Sequence, residues 1–105
     1  MKTISESDWK IFKRLRAVAL ERLSQRILDE SRAICDKTAV SAHDTYLELY
    51  QHIQQRDKQI ASAFNHFSRS SALLSLRLIR SLDLLTANEI SEFSESAQQA
   101  TDPGR

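Results

Sequence analysis

Apolar residues recur at helical spacing over the first third of the chain. From Phe12 to Ile34 they follow steps of three, four and seven, which places them on one face of a helix: Phe12, Leu15, Ala19, Leu23, Ile27 and Ile34. Ser5 or Ser7 offers a capping hydroxyl just before this face begins. The pattern predicts a helix over about 7–35, followed by a turn over 36–41, where short polar and β-branched residues favour helix poorly.

The second pattern is longer, and it alternates steps of four and three as a heptad repeat does. Nine of its twelve positions are apolar: Tyr46, Tyr50, Ile53, Asp57, Ile60, Phe64, Phe67, Ser71, Leu74, Leu78, Ser81 and Leu85. With a cap at Ser41, the pattern predicts one helix over about 42–85, roughly 65 Å long. Polar repeat positions such as Asp57 weaken helix pairing but can fix its register. The four aromatic members (Tyr46, Tyr50, Phe64 and Phe67) are predicted to lie in the core.

The last part of this helix carries most of its apolar side chains. In 72–85, nine of fourteen residues are apolar. A first helix laid antiparallel from the turn would end near Ser70, so this segment is predicted to lie beyond its reach and to pair with a second copy. The predicted dimer interface comprises Leu73, Leu74, Leu76, Leu78, Ile79, Leu82 and Leu85. Ser68–Ser71, the weakest helix-forming stretch, is the expected position of a kink.

Thr86 and Glu89 form the clearest capping box of the chain. It predicts the end of the long helix and the start of a short one over about 87–94. The polar residues of 96–105 predict a frayed tail.

Composition supports an all-α fold. The single glycine and single proline of the 105 residues are Gly104 and Pro103, so turn-rich strand architectures are disfavoured. We expect one domain, a long antiparallel helical hairpin with a short C-terminal helix, pairing into a dimeric helical bundle. No apolar run is long enough to span a membrane, and the start of the chain lacks the apolar core of a secretory signal. A cytoplasmic location follows as an expectation.

Charge is balanced overall, at +1, but it is unevenly distributed. Residues 1–26 hold seven basic and three acidic side chains, whereas 83–105 hold five acidic and one basic. Complementary ends of a bundle or of two chains would explain this, and so would a basic contact surface. In the second interpretation, Lys10, Lys13 and Arg14 form a compact patch for a protein partner or for phosphates.

Candidate reaction chemistry is sparse. His52 shares a helix face with Glu48, and a metal site would also need Asp29 or Glu30 from the first helix; we predict no metal and no cofactor. Cys35 has His43 across the turn, but an isolated cysteine near a helix end is more often a small hydrophobe than a nucleophile, and we interpret it as buried. We predict no catalytic residues.

These observations favour a non-enzymatic cytoplasmic interaction protein, a homodimeric helical adaptor or regulator with a protein partner. The alternative is a nucleic-acid- or ribosome-associated factor that uses the basic half of the first helix. No motif in the sequence points to a particular family.

Overall fold

The computed structural model describes residues 3–104, and within them every regular element is helical. The elements in chain order are α1 (Glu6–Cys35), α2 (Ala42–Phe64), α3 (Ala72–Ser81), α4 (Ala87–Ile90) and α5 (Glu95–Ala100). The helices pack against one another: α1 contacts α2 and α3, and α3 also contacts α2 and α5. The predicted all-α class is confirmed.

Local sequence signals set the starts of α1 and α2. The Ser5 hydroxyl accepts a hydrogen bond from the Asp8 amide at 3.2 Å, and the Ser41 hydroxyl accepts one from the Asp44 amide at 3.1 Å. Each hydroxyl satisfies an amide that the first turn of a helix leaves without an intrahelical partner. The apolar face of α1 is buried at Phe12, Leu15, Ala19, Leu23 and Ile34, as its spacing predicts.

The predicted continuous helix over 42–85 is wrong, because the chain leaves the helix between Phe64 and Ala72. Serine hydroxyls bind the local backbone at this break. The Ser71 Oγ donates to the His66 carbonyl at 3.0 Å and to the Ser68 carbonyl at 3.2 Å. Such bonds compete with helix formation, and they do so at the stretch expected to kink.

A long-range contact reinforces the break. Arg16 of α1 donates to the carbonyl of Phe64, which a continuing helix would have used for its own hydrogen bond. Its guanidinium carbon lies 5.6 Å from the centroid of the Phe64 ring and 4.5 Å from that of Phe67. The cation therefore holds the end of α2 and the following loop against α1.

The break brings the most apolar segment back onto the chain's own core. Leu76 and Ile79 of α3 are buried, and so are Leu84 and Leu85 in the following loop. They join the apolar face of α1 in one cluster, together with Phe93 and Ala97. The expectation that 72–85 lies beyond the reach of the first helix is therefore wrong, because it assumed that α2 and α3 were collinear.

The helix also stops earlier than predicted at its far end. α3 ends at Ser81 rather than near Leu85, and Asp83 takes a left-handed conformation with φ of 57°. Asp tolerates this region better than most residues, since its short polar side chain bonds locally. The Thr86–Glu89 capping box forms with both of its hydrogen bonds, but α4 ends at Ile90 rather than near 94.

The predicted frayed tail is also wrong, because 95–100 form α5 and its end is anchored. Thr101 is 0% exposed, and its hydroxyl donates to the Ala97 carbonyl and accepts from Arg80. Asp8 accepts hydrogen bonds from the amide and the hydroxyl of Ser94 at 2.9 and 2.6 Å. These contacts tie the C-terminal segment to α1 and α3.

The molecule is elongated, with extents of 52 × 25 × 24 Å and a radius of gyration of 16.5 Å. A compact domain of this length would have a radius of gyration of about 13 Å. We call residues 27–56, comprising the end of α1, the turn and the first part of α2, the arm. Ile34 is the single buried residue among these thirty, all of which the structure describes.

Candidate interaction surfaces

The predicted basic patch is partly used within the chain. Arg14 forms an ion pair with Glu92, and the Lys13 ammonium lies 5.7 Å from the centroid of the Trp9 ring. Lys10 is exposed. Lys10 and Lys13 remain accessible for a contact with an anionic group, but the patch is less basic than the sequence suggests.

Two further arginines of α1 bind the C-terminal third. Arg22 reaches both carboxylate oxygens of Glu89 at 2.7 and 2.9 Å and the Leu84 carbonyl at 2.9 Å. Arg26 donates to the Leu82 and Asp83 carbonyls at 2.8 and 3.1 Å. The interpretation of the two charged ends as complementary parts of a bundle is confirmed for the Arg14–Glu92 and Arg22–Glu89 pairs within one chain.

Hydrogen bonds between α1 and the C-terminal third lower the pKa values of two carboxyl groups, those of Glu89 and Asp8. Hydrogen bonds from Arg22 and from the Thr86 amide lower the pKa of Glu89 to about 2. Burial acts to raise the pKa of Asp8, but the hydrogen bonds from Ser94 and Ser5 together outweigh it and the net shift is downward. Both groups thus hold the fold together in their ionised form.

The residues of the predicted dimer interface fall into three classes. Leu76, Ile79 and Leu85 are buried in the core of one chain. Leu73, Leu78 and Leu82 are partly buried against it. Leu74 is 63% exposed. Leu76, Ile79 and Leu85 were assigned to an interface because they are apolar. Since they are buried within one chain, a second copy is not needed to cover them.

An apolar groove lies between α2 and α3. It has a volume of about 250 Å³ and is lined by Lys58, Gln59, Ser62, Ala63, Leu78, Ser81 and Leu82. Leu78, Leu82 and Ala63 supply its apolar side chains, and Lys58 is a cation beside them. The groove can accept an aliphatic side chain that has an anionic neighbour.

The largest concentration of exposed apolar side chains lies on the arm. Six of the eight large hydrophobic residues that are exposed within 3–104 belong to it: Leu28, Val40, Tyr46, Leu47, Tyr50 and Ile53. Tyr46 and Tyr50 are stacked, with ring centroids 6.3 Å apart. The prediction that the four aromatic heptad residues form a core is correct only for Phe64, since Phe67, Tyr46 and Tyr50 are 53%, 59% and 51% exposed.

Over the first part of α2, the heptad face is exposed because α2 presents different residues to α1. Glu30 of α1 accepts from Arg56 at 2.9 and 2.5 Å and lies 2.9 Å from the His52 Nε2. The side of α2 that contacts α1 here is therefore polar, whereas the heptad pattern predicted that Tyr46, Tyr50 and Ile53 would make this contact. The spacing of four between His52 and Arg56 was the available signal in the sequence, since it places both on one helix face.

Three of the exposed residues share one face of α2, because they follow steps of four and three along it: Tyr46, Tyr50 and Ile53. Ile53 is about 180° around α2 from Ser62, which lines the groove toward α3. We call Tyr46, Tyr50 and Ile53 the arm stripe.

The cluster of Glu30, His52 and Arg56 is the nearest approach to the predicted metal ligands. The Arg56 guanidinium, with His52, lowers the pKa of the Glu30 carboxyl, while Glu48 pairs with Lys37. Throughout 3–104, no three His, Cys, Asp or Glu side chains are placed to hold a metal ion. The arrangement serves as a tether between α1 and α2.

Cys35 is exposed at the end of α1, so its interpretation as a buried hydrophobe is wrong. His43, its proposed neighbour across the turn, has its ring centroid 6.2 Å from that of Tyr46. The histidine thus extends the aromatic row of Tyr46 and Tyr50.

None of the helices within residues 3–104 combines the length and the hydropathy needed to cross a bilayer. Comparison with known protein families, with curated proteins and with solved structures finds no significant match.

Proposed function

We propose that this protein is a non-enzymatic helical interaction protein that acts in the cytoplasm as a homodimeric adaptor or regulator. The observation that supports this most is the presence of two separate apolar surfaces, the arm stripe and the groove between α2 and α3. An adaptor needs two contact sites that can be occupied together. One of these would bind a second copy, and the other a protein partner.

In this proposal, α1 and α2 form an antiparallel hairpin. Its support is the order of the contacts: Arg16 meets Phe64, Glu30 meets Arg56, and Lys37 meets Glu48. Residues early in α1 thus pair with residues late in α2. A hairpin of two helices has two broad faces, and along the arm one of them presents the exposed side chains of Tyr46, Tyr50 and Ile53.

Structural roles for the perturbed carboxylates favour a protein without a reaction centre. Asp8, Glu30 and Glu89 each have a lowered pKa, and each is bound by groups that join two segments of the fold. A general acid or base would need a pKa nearer the working pH. Contacts within the fold are therefore sufficient to explain the lowered pKa values of these three carboxyl groups.

The alternative of a nucleic-acid- or ribosome-associated factor receives less support. Arg14, Arg22 and Arg26 bind acidic or carbonyl groups of the same chain, so within the patch the charge of Arg14 is partly neutralised by Glu92. A surface that tracks phosphates needs a longer row of cations.

Two measurements test the proposal. Light scattering should give twice the 12.0 kDa of one chain. Affinity capture should then retrieve a protein with the wild type and with Ser62→Ala, but not with Ser62→Trp, whose ring fills the groove. A monomeric wild type would refute the homodimer, and equal capture by all three would refute the groove as the partner site.

A further inference from the structure

We infer that a second copy of the chain binds on the arm stripe, so that two arms pack together as four helices. This inference rests on the proposed homodimer and assigns its interface to Tyr46, Tyr50 and Ile53 instead of 72–85. Three features of the described residues support it: the exposed area, the local lack of charge, and the position of one carboxylate.

The exposed area suits a weak, reversible homodimer. A fully buried aromatic side chain covers about 150–250 Å², and both tyrosines of the stripe are about half exposed. With Ile53, the stripe presents roughly 300 Å² of mostly apolar surface per copy. Since a homodimer interface is about 65% apolar, two copies would bury roughly 900 Å² in all, slightly below the roughly 1,000 Å² of a stable specific interface, so association should depend on protein concentration.

The stripe carries almost no charge that would oppose self-pairing. Between Thr45 and Gln55 the single charged residue is Glu48, and its carboxylate is paired with Lys37. Gln54, which lies beside the stripe on the helix surface, is uncharged, and so are Gln51 and Gln55 farther around α2. A copy of the same surface can therefore approach without the repulsion that like charges impose, whereas no charge pattern selects a different protein.

Asp57 sets the direction of the pairing. It is exposed one heptad position beyond Ile53, on the same side of α2. Parallel helices would place Asp57 against Asp57 of the second copy. In an antiparallel pairing centred between Tyr50 and Ile53, Tyr50 meets Ile53 of the second copy, and the Tyr46 hydroxyl can donate to Asp57 of the second copy. The two contact sets are related by a two-fold axis, as an isologous dimer requires.

The test compares three double variants by light scattering at equal concentration. Tyr50→Glu with Ile53→Glu should halve the mass of the wild type. The matched control Gln51→Glu with Gln55→Glu adds the same charge on another side of the same helix, about 150° from the stripe, and should remain dimeric. Leu74→Asp with Leu78→Asp changes the predicted α3 interface and should also remain dimeric. Circular dichroism checks that each variant keeps its helix content.

The outcomes separate the inference from the proposed function. A dimeric stripe variant together with a monomeric α3 variant would refute the arm interface and leave the homodimer intact. A monomeric wild type would refute both.

The direction in which the two α2 helices pair is tested by disulfide cross-linking in a Cys35→Ser background. Chains with Tyr50→Cys and chains with Ile53→Cys should form mixed disulfides when combined, and few disulfides when either is oxidised alone. Efficient linkage within one variant alone would show parallel pairing and overturn the antiparallel geometry.

Discussion

At the scale of single residues, Glu89 joins three parts of the fold. Its carboxylate binds the Arg22 guanidinium and the amide of Thr86, while its own amide donates to the Thr86 hydroxyl. One side chain thus completes the capping box of α4 and fastens it to α1. Because both carboxylate contacts favour the ionised form, the pKa of Glu89 falls from 4.5 to about 2.

We expect Glu89→Gln to lower the free energy of unfolding by about 1–2 kcal/mol at pH 7. The folded-state pKa is lowered, so the contribution of the carboxylate is complete above about pH 4.5 and disappears as the pH falls through 2. Urea unfolding at several pH values should show the wild type and the variant converging in acid. Glu21→Gln, an exposed change on α1, should leave stability unchanged, and a constant difference at all pH values would contradict the assignment.

At the scale of secondary-structure elements, α5 is short but well anchored. The Arg80 Nη1 donates to the Gln98 carbonyl at 2.7 Å and to the Thr101 hydroxyl at 2.9 Å. A helix of six residues has little stability of its own. Its order must therefore come from these contacts and from the burial of Ala97 and Thr101.

Thr101→Val tests this anchor. Valine keeps the shape of the side chain but leaves Arg80 without the hydroxyl acceptor, so we expect a loss of about 1–2 kcal/mol in the free energy of unfolding. Chemical denaturation measures it. Ser96→Ala removes an exposed hydroxyl from the same helix and should change little; equal effects of the two substitutions would mean that α5 is not held by Thr101.

The arm is the element with the least buried surface. Glu30→Gln removes the charge that binds Arg56 and His52, and we expect amides in the first half of α2 to exchange about fivefold faster, equivalent to about 1 kcal/mol. Hydrogen exchange measured by mass spectrometry reports this directly. Asp29→Asn neutralises the adjacent carboxylate and should not have this effect, and unchanged exchange in Glu30→Gln would show that the tether does not stabilise the arm.

At the scale of the whole molecule, stability and association should be linked. A dimer that forms through the arm stripe stabilises the folded chain by mass action, so the thermal midpoint of the wild type should rise between about 1 μM and about 100 μM protein. Tyr50→Glu with Ile53→Glu should abolish this dependence. Scanning calorimetry over the concentration series measures it, and a concentration-independent midpoint of the wild type would argue against self-association.

Local patterns were sufficient for much of the fold. The caps at Ser5, Ser41 and Thr86 and the buried face of α1 depend on residues a few positions apart. Helix propensity also indicated the stretch where α2 breaks, since Ser68–Ser71 favours helix poorly, although the heptad pattern continued through it. The candidate surfaces were harder to predict, because their positions depend on how α2 is rotated and where α3 folds back.

The sequence by itself determined that the chain is helical, where three of its helices begin, and which residues of α1 are buried, because hydrogen bonds and side-chain spacing within one helix decide these features. Only the tertiary structure decided that α3 returns to α1 and that Tyr46, Tyr50 and Ile53 face outward. The physical reason is the range of the interactions. A helix break costs a few tenths of a kcal/mol per residue, which is small. The contacts of Arg16, Leu76 and Ile79 that compensate for it join residues far apart in the chain, so local spacing does not predict them.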